Sequence, residues 1–591
     1  MTVAVQRFDD NPCRPRHFRP PPCVAIVPDG PAKQALEACR IRLLVTGALF
    51  ALLFAGVALR VVEIVAVGSG AAESQIGRFR IVTAPVPSHA DIVDRNGNVL
   101  AATLDSPSLY ANPKQIVDAA EATNKLVRVF PTLRAAEVYA KLTSGKSFVW
   151  IRRHLTPAEQ QEVNQLGIPG LEFEHEERRV YPDGDLTSHV VGYTGIDNTG
   201  FAGVERGLDS VLRGRPEPLQ LSLDLRLQYI LHEELESVID DFTAKGGAGL
   251  IIDVNTGEVL AMASLPDFDP NHPGAPDPGN PTVKVADRMF NRNTLGVYEL
   301  GSIFKIFTVA MALDYGTSTL TSTYDATHPI SIGRFTISDY HGKHRVLSVP
   351  EILMYSSNIG AARMAAAAGG QKQKEFLGRL GLLNAPKIEI SEVAEPHFPA
   401  RWREVNTMTI AFGHGISVTP LSFATAAAAL VNGGFLLPAT LVKRPAGSAP
   451  QGQQVISAKT SEQMRKLMRL VVEHGTGTMA AAPGYVVGGK TGTAEKVSGR
   501  HYAERKLLSS FVGVFPINDP KYLILAMVDE PHPNKQSHGY ATGGWTAAPA
   551  ISRIVQRIAP LLGIQPVDES SPEVQRALMV ESLQGKRIEA Y

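Results

Sequence analysis

The residues able to do chemistry lie in three short groups: Ser302-Ile303-Phe304-Lys305, Ser356-Ser357-Asn358 and Lys490-Thr491-Gly492-Thr493. Ser302 and Lys305 are three apart, so a helix would carry both side chains on one face. A serine alcohol is a poor nucleophile without a base. Lys305 can serve as that base only where burial or a nearby cation lowers its pKa and leaves it partly neutral. Tyr298-Glu299-Leu300-Gly301 reads as a turn, and the apolar run from Ile303 to Ala312 reads as a buried helix. Ser302 would then sit at a helix start, where free N–H groups face developing negative charge. Ser356 and Asn358, two apart, would diverge on a helix, so they predict a loop or irregular turn. Ser356 offers a hydroxyl that both accepts and donates, and the amide of Asn358 can hold the lysine or a substrate carbonyl. Tyr485-Val486-Val487-Gly488-Gly489 reads as an exposed strand leading into Lys490. A peptide could lie antiparallel along it, with Lys490 and Thr491 or Thr493 holding its terminal carboxylate. Gly492 would leave the strand surface unobstructed beside the nucleophile.

Each group alone is weak: a surface helix turn, a helix cap and an ordinary edge strand would look the same. Their weight comes from order, since their leading positions follow one another at intervals of 54 and 134 residues. Together they make the S-x-x-K, S-x-N, K-T-G set of serine penicillin-binding enzymes. The chain resembles the class B penicillin-binding proteins well beyond that set. Asp253 to Ser264 looks like the opening strand-turn-strand of that family's transpeptidase domain, and Asn291-Arg292 with Tyr298 to Ser302 like its approach to the nucleophile. Gly413-His414-Gly415-Ile416-Ser417-Val418-Thr419-Pro420 and Phe511 to Pro516 are similar to its central segment and late strand. Asp94-Arg95-Asn96-Gly97, Arg179-Val180-Tyr181-Pro182 and Gly200 to Glu205 resemble its non-catalytic module, so the likeness covers roughly residues 80 to 565. Two positions depart from the pattern. Leu300 replaces the usual proline and is expected to loosen the turn before Ser302. His89-Ala90 replaces Arg-Gly and is expected to bear on partner contacts.

A membrane anchor is expected in front of all this. Leu43 to Leu59 is uncharged for 17 residues and apolar character continues to Val67, close to the ~20 residues that span a hydrocarbon core. Arg60 must snorkel to an interface. Seven basic against four acidic residues precede the segment, with Arg40 and Arg42 at its boundary. That bias places the N-terminus in the cytoplasm and the rest outside. A cleaved signal peptide is the rival, opposed by the long leader and the long apolar core. Cys13, Cys23 and Cys39 all precede the span, so no disulfide scaffold or thiol chemistry is expected beyond it. With 58 basic and 58 acidic residues and no basic block, nucleic-acid binding has no support. His414, His474, His501 and His538 lack ligand spacing, so no metal and no cofactor is expected, and these histidines read as surface or structural.

The expected organisation is a disordered cytoplasmic tail (1–40), a transmembrane helix (41–67), an elongated α+β pedestal or dimerisation-like module (75–220), a catalytic domain (221–565) and a polar tail (566–591). In the module, helices are predicted over 133–142 and 157–165. In the catalytic domain, strand signals at 248–253, 258–264, 485–493, 509–515 and 522–529 bracket helices such as 423–431. That order argues for an antiparallel sheet with helices on both faces, an α+β fold. A loop rich in Pro, Asp and Gly is expected over 267–281.

The resemblance implies a D,D-transpeptidase. Ser302 would attack the bond between two D-alanines of a peptidoglycan stem peptide, with Lys305 as base and Ser356 as proton relay. Backbone N–H groups of Ser302 and Thr493 would form the oxyanion hole. β-Lactams would acylate Ser302. The compact module and the 413–420 segment look like the division branch more than the elongation branch. The partners implied are the inner membrane, lipid-linked or nascent glycan strands, a multi-span glycan polymerase and other division proteins. A D,D-carboxypeptidase, a non-catalytic penicillin-binding scaffold or sensor, and a soluble β-lactamase remain as alternatives.

Overall fold

The computed structural model describes residues 31–66 and 89–580, apart from 277, 278, 280, 281, 334, 446, 449, 499 and 500. Most of the expected disordered tail, residues 1–30, lies outside the described residues. Compact packing divides the chain after residue 85. In the first unit the helix Pro31–Ala66 begins ten residues ahead of the expected span. Its Arg40–Leu59 stretch, 20 residues of mean hydropathy 2.2, is long and apolar enough to cross a membrane.

The second unit starts with the module. Its long strands Val99–Ala111 and Leu171–Val180 pair antiparallel. Val149–Arg152 joins them at one end, and Ile92–Val93 at the other takes Leu219–Gln220 in parallel. The far lobe has its own core, built from Leu109, Leu126, Phe130 and Ile151. The helices Ala135–Leu142 and Pro157–Gln165 pack in that lobe, and Thr156 with Glu159 closes a capping box on the second. At the base, Ile92, Leu100, Tyr181 and Val204 share one hydrophobic cluster with Leu250, Phe304 and Phe423, so the core continues across residue 220 without a break. His89 is fully buried, with Nε2 3.1 Å from Asp209 Oδ1. The departure at this position therefore makes an internal contact, not a surface for partners.

The catalytic sheet has five antiparallel strands in the order Gly488–Ser498, His501–Phe515, Tyr522–Asp529, Gly246–Asp253 and Val259–Leu265. Period-two alternation sends Ile251, Phe511, Ile524 and Ala526 into one core, against the helices Leu225–Asp241 and Ala547–Leu561. Leu250, Val512, Leu523 and Leu525 enter the opposite core, with Phe423 of the helix Pro420–Ala429 and Met468 of Ala458–His474. Both faces are covered, so the central strands Tyr522–Asp529 and Gly246–Asp253 are apolar along almost their whole length.

Two expectations need correction here. The strand bearing Lys490 runs 488–498, not 485–493. Val486 and Val487 are fully buried outside the ladder, where the Ile517 N–H donates to the Val486 carbonyl at 2.8 Å. The tail after 565 also stays on the domain up to residue 580. Val567 N–H bonds the Gly484 carbonyl, Arg469 bridges to Glu569 at 2.6 Å, and the helix Pro572–Leu578 places Val574 and Leu578 against the main core. Its few apolar residues are spaced for one helical face, and that face finds a partner.

Candidate active site

Ser302 lies in a 3-10 turn, Gly301–Phe304, that runs directly into the helix Lys305–Asp314. The rotation of this helix is fixed by packing: Phe304, Phe307 and Phe423 meet ring to ring with centroids 5.1 to 6.2 Å apart. Such pairs add roughly 0.5–1.5 kcal/mol each beyond their burial. Gly301 has φ +60°, and a β-carbon there would come 2.7 Å from the Thr493 carbonyl oxygen. Glycine thus lets the nucleophile turn touch the sheet edge. Leu300, where the proline is missing, is buried beside it in the main core. Gly492 also serves this contact. A β-carbon on it would strike Ser510 Oγ at 2.4 Å and the Leu300 carbonyl at 2.8 Å, so its bareness admits the protein's own turn where an open ligand surface was expected.

Ser356 has a left-handed backbone, φ +59°, and the next residue caps the helix Asn358–Ala368. The irregular turn expected from the spacing is therefore present, with Asn358 as the first helical residue. Lys305 is completely buried. Its Nζ lies 2.6 Å from Ser302 Oγ, 2.9 Å from the Ser356 carbonyl oxygen, 3.2 Å from Ser356 Oγ and 2.7 Å from Asn358 Oδ1. The Asn358 amide cannot turn away, because its Nδ2 donates to the Ser338 carbonyl at 2.9 Å. A neutral amine has two N–H bonds and one lone pair. The Ser356 carbonyl and Asn358 Oδ1 can only accept, so they take both hydrogens and leave the lone pair for the Ser302 hydroxyl. Burial pulls Lys305 down to about 7, against the opposing charge of Asp339. The amine is therefore substantially neutral near neutral pH.

Lys490 is equally buried, with Nζ 2.9 Å from Ser356 Oγ and 3.0 Å from the Thr491 carbonyl oxygen. Burial, reinforced by Lys305, holds it well below lysine's usual range. Ser356 Oγ thus joins two amines. Thr491 is nearly buried and pairs its hydroxyl with Thr476 at 2.6 Å, while Thr493 Oγ1 accepts from Gly543 N–H at 3.1 Å. All eight expected site residues therefore fall in one region, five of them in a continuous chain of contacts from Ser302 to Lys490.

Some neighbours had no signal in the sequence. Asp339 and Thr476 belong to no motif, although the flanking Gly475 and Gly477 mark a tight turn. His414 is half-buried, its ring centroid 5.2 Å from that of Phe412, and desolvation with the Lys305 charge lowers it to about 4.

Comparison with known proteins supplies the rest. Residues 247–556 match the penicillin binding protein transpeptidase domain, and residues 86–234 the penicillin-binding protein dimerisation domain. A probable peptidoglycan D,D-transpeptidase FtsI of Caulobacter vibrioides is 42% identical over 491 residues, 81% of this chain and 82% of that protein. A probable peptidoglycan D,D-transpeptidase PenA of Neisseria meningitidis is 33% identical, covering 87% and 92%. Among solved structures, the apo transpeptidase domain of Burkholderia pseudomallei penicillin-binding protein 3 superposes with TM-score 0.52 at 33% identity, over 59% of this chain and 98% of that one. A match over more than half of the chain, and likeness to a relative along four fifths of it, lead to one conclusion: the chain belongs to the class B penicillin-binding proteins, the serine D,D-transpeptidases of peptidoglycan.

Proposed function

We propose that this enzyme crosslinks peptidoglycan at the division septum, with Ser302 as nucleophile and Lys305 as general base. The observation that carries the assignment is the 2.6 Å approach of a fully buried lysine amine to the Ser302 hydroxyl. Ser302 Oγ attacks the carbonyl carbon between the two D-alanines as its proton passes to Lys305 Nζ. The C–N bond then breaks, and the departing D-alanine nitrogen takes a proton from Ser356 Oγ, which is resupplied from Lys305. The amine of a second stem peptide attacks the ester and gives up its proton to the same lysine; the ester C–O bond then breaks as Lys305 passes that proton to Ser302 Oγ, restoring both groups. Asn358 orients Lys305 and the donor peptide. The N–H groups of Ser302 and Thr493 form the oxyanion hole, for which the close approach of Gly301 to the Thr493 carbonyl is the support. One such donor contributes ~3 kcal/mol. The terminal carboxylate is held by the hydroxyls of Thr491 and Thr493. Lys490, whose Nζ already contacts Ser356 and Thr491, supplies field and proton relay from behind.

A Ser302→Ala protein, made at normal membrane level, should lose covalent labelling by a fluorescent penicillin and fail to support division. Retained division would sink the enzymatic role. The septal assignment rests on the division-like compact module and the Gly413–Pro420 segment, and it brings with it a multi-span glycan polymerase and other division proteins as partners. The basic leader supports a cytoplasmic N-terminus and a catalytic domain on the other side of the membrane. A fluorescent fusion should gather at midcell; uniform lateral signal would transfer the enzyme to elongation.

A further inference from the structure

Asp339 belongs to none of the three motifs and does not touch Ser302, yet it grips the whole second motif. Its Oδ1 accepts from the N–H groups of Asn358 (2.5 Å) and Ile359 (3.0 Å), and its Oδ2 accepts from the Ser357 hydroxyl (2.7 Å). Ser357 Oγ in turn accepts from Gly360 N–H at 3.0 Å. The first turn of the helix Asn358–Ala368 therefore has its orphan donors satisfied by a carboxylate from a separate segment. The preceding residue fixes the Asn358 amide through the Ser338 carbonyl. The pair is delivered by a hairpin, Ile330–Ile332 with Phe335–Ile337, whose Ile337 is buried against Ala362 of that same helix. On the other side of the turn, Lys343 lies 4.7 Å from the ring centre of Tyr355. A left-handed backbone is unfavourable for a serine, so the turn at Ser356 persists only where its surroundings over-determine it.

We propose that Asp339 is a positioning residue of the acyl-transfer site: by holding the Ser357–Ile359 turn it aims Asn358 and the Ser356 carbonyl at Lys305. Its charge also opposes loss of a proton from that amine. The inference rests on Lys305 being the base. The charged and titratable groups around this amine are Asp339, which favours its protonated form, the equally buried Lys490, and the half-buried His414. Asp339 is thus the one acidic counterweight to burial among the causes that move Lys305.

The test is the rate of acylation by a fluorescent penicillin against pH, using the full-length protein in detergent. In the wild type the rate should rise with pH as Lys305 deprotonates. Asp339→Asn keeps an acceptor for the turn but removes the charge, and should move the midpoint about one unit lower. Asp339→Glu keeps the charge but misplaces the carboxylate; it should lower the plateau about 10-fold or more and leave the midpoint in place. A midpoint unmoved in Asp339→Asn, or moved in Asp339→Glu, would overturn the proposal. If Asp339→Asn does not fold, Asp339→Glu still decides. Persistent labelling of Ser302→Ala would overturn the catalytic assignment itself, an outcome separate from either shift.

Discussion

Two of the places where this protein buries cations use opposite means. In the module, Arg179 and Glu205 are both inaccessible and meet at 2.7 Å, a buried cation with its counter-ion. In the catalytic site Lys305 and Lys490 are both buried and share Ser356 Oγ, and none of their contacts at hydrogen-bond distance is a carboxylate. A desolvated charge beside its counter-ion stays charged and holds two segments in register. A desolvated amine beside another amine gives up its proton more easily. The first arrangement suits architecture and the second suits a base, and the comparison can be broken by mutation.

The largest effect is expected at Lys305. Lys305→Met should reduce penicillin acylation about 10²–10⁴-fold, while thermal denaturation shows unchanged or raised stability because a buried amine has been replaced by an apolar chain of similar length. Glu205→Ala should do the reverse. It leaves the buried Arg179 with only Asp91 at 4.0 Å and the Thr103 hydroxyl at 3.0 Å, and costs about 3 kcal/mol of stability in denaturant titration, while the folded fraction acylates normally. If Glu205→Ala were harmless, or Lys305→Met strongly destabilising, the contrast would fail. Replacing both partners, Arg179→Met with Glu205→Leu, should recover most of the lost stability, since the pair is dispensable when removed together.

The two sites should also differ in pH response. Lys305 titrates at about 7 in the folded state against an ordinary 10.5, so between these values the unfolded chain binds the extra proton. Stability therefore rises with pH across that window and the burial penalty is full below it. Urea midpoints measured from pH 7 to 10 should climb in the wild type and climb less in Lys305→Met. The smallest effect is expected at the rim: Thr476→Val removes one hydroxyl partner of Thr491, worth about 1 kcal/mol, and should slow acylation several-fold without moving its pH midpoint.

Much of this was legible in the chain. Ser302 and Lys305 announce themselves by a three-residue spacing that helical geometry turns into contact. The apolar runs around Ile251, Val512 and Leu525 marked strands covered on both faces, because period-two alternation within an all-apolar run has no solvent side. Hydropathy marked the Arg40–Leu59 helix. Local pattern failed where the partner is remote. Nothing near residue 566 says that the tail would find the helix Ala458–His474, and nothing in Gly492 distinguishes room for a ligand from room for Leu300.

What the sequence determined by itself is therefore the inventory and the local geometry: a serine with an amine three residues away, an irregular serine-asparagine turn, a glycine-bearing strand and an apolar segment long enough to span a membrane. Short-range spacing and periodicity are enough for these, since each depends on residues a few positions apart. Only the tertiary structure decided that Lys305 is dry, that Lys490 stands behind Ser356, and that Asp339 reaches the second motif. Protonation and aim depend on which atoms fill the surrounding few ångströms, and those atoms come from chain segments tens to hundreds of residues away.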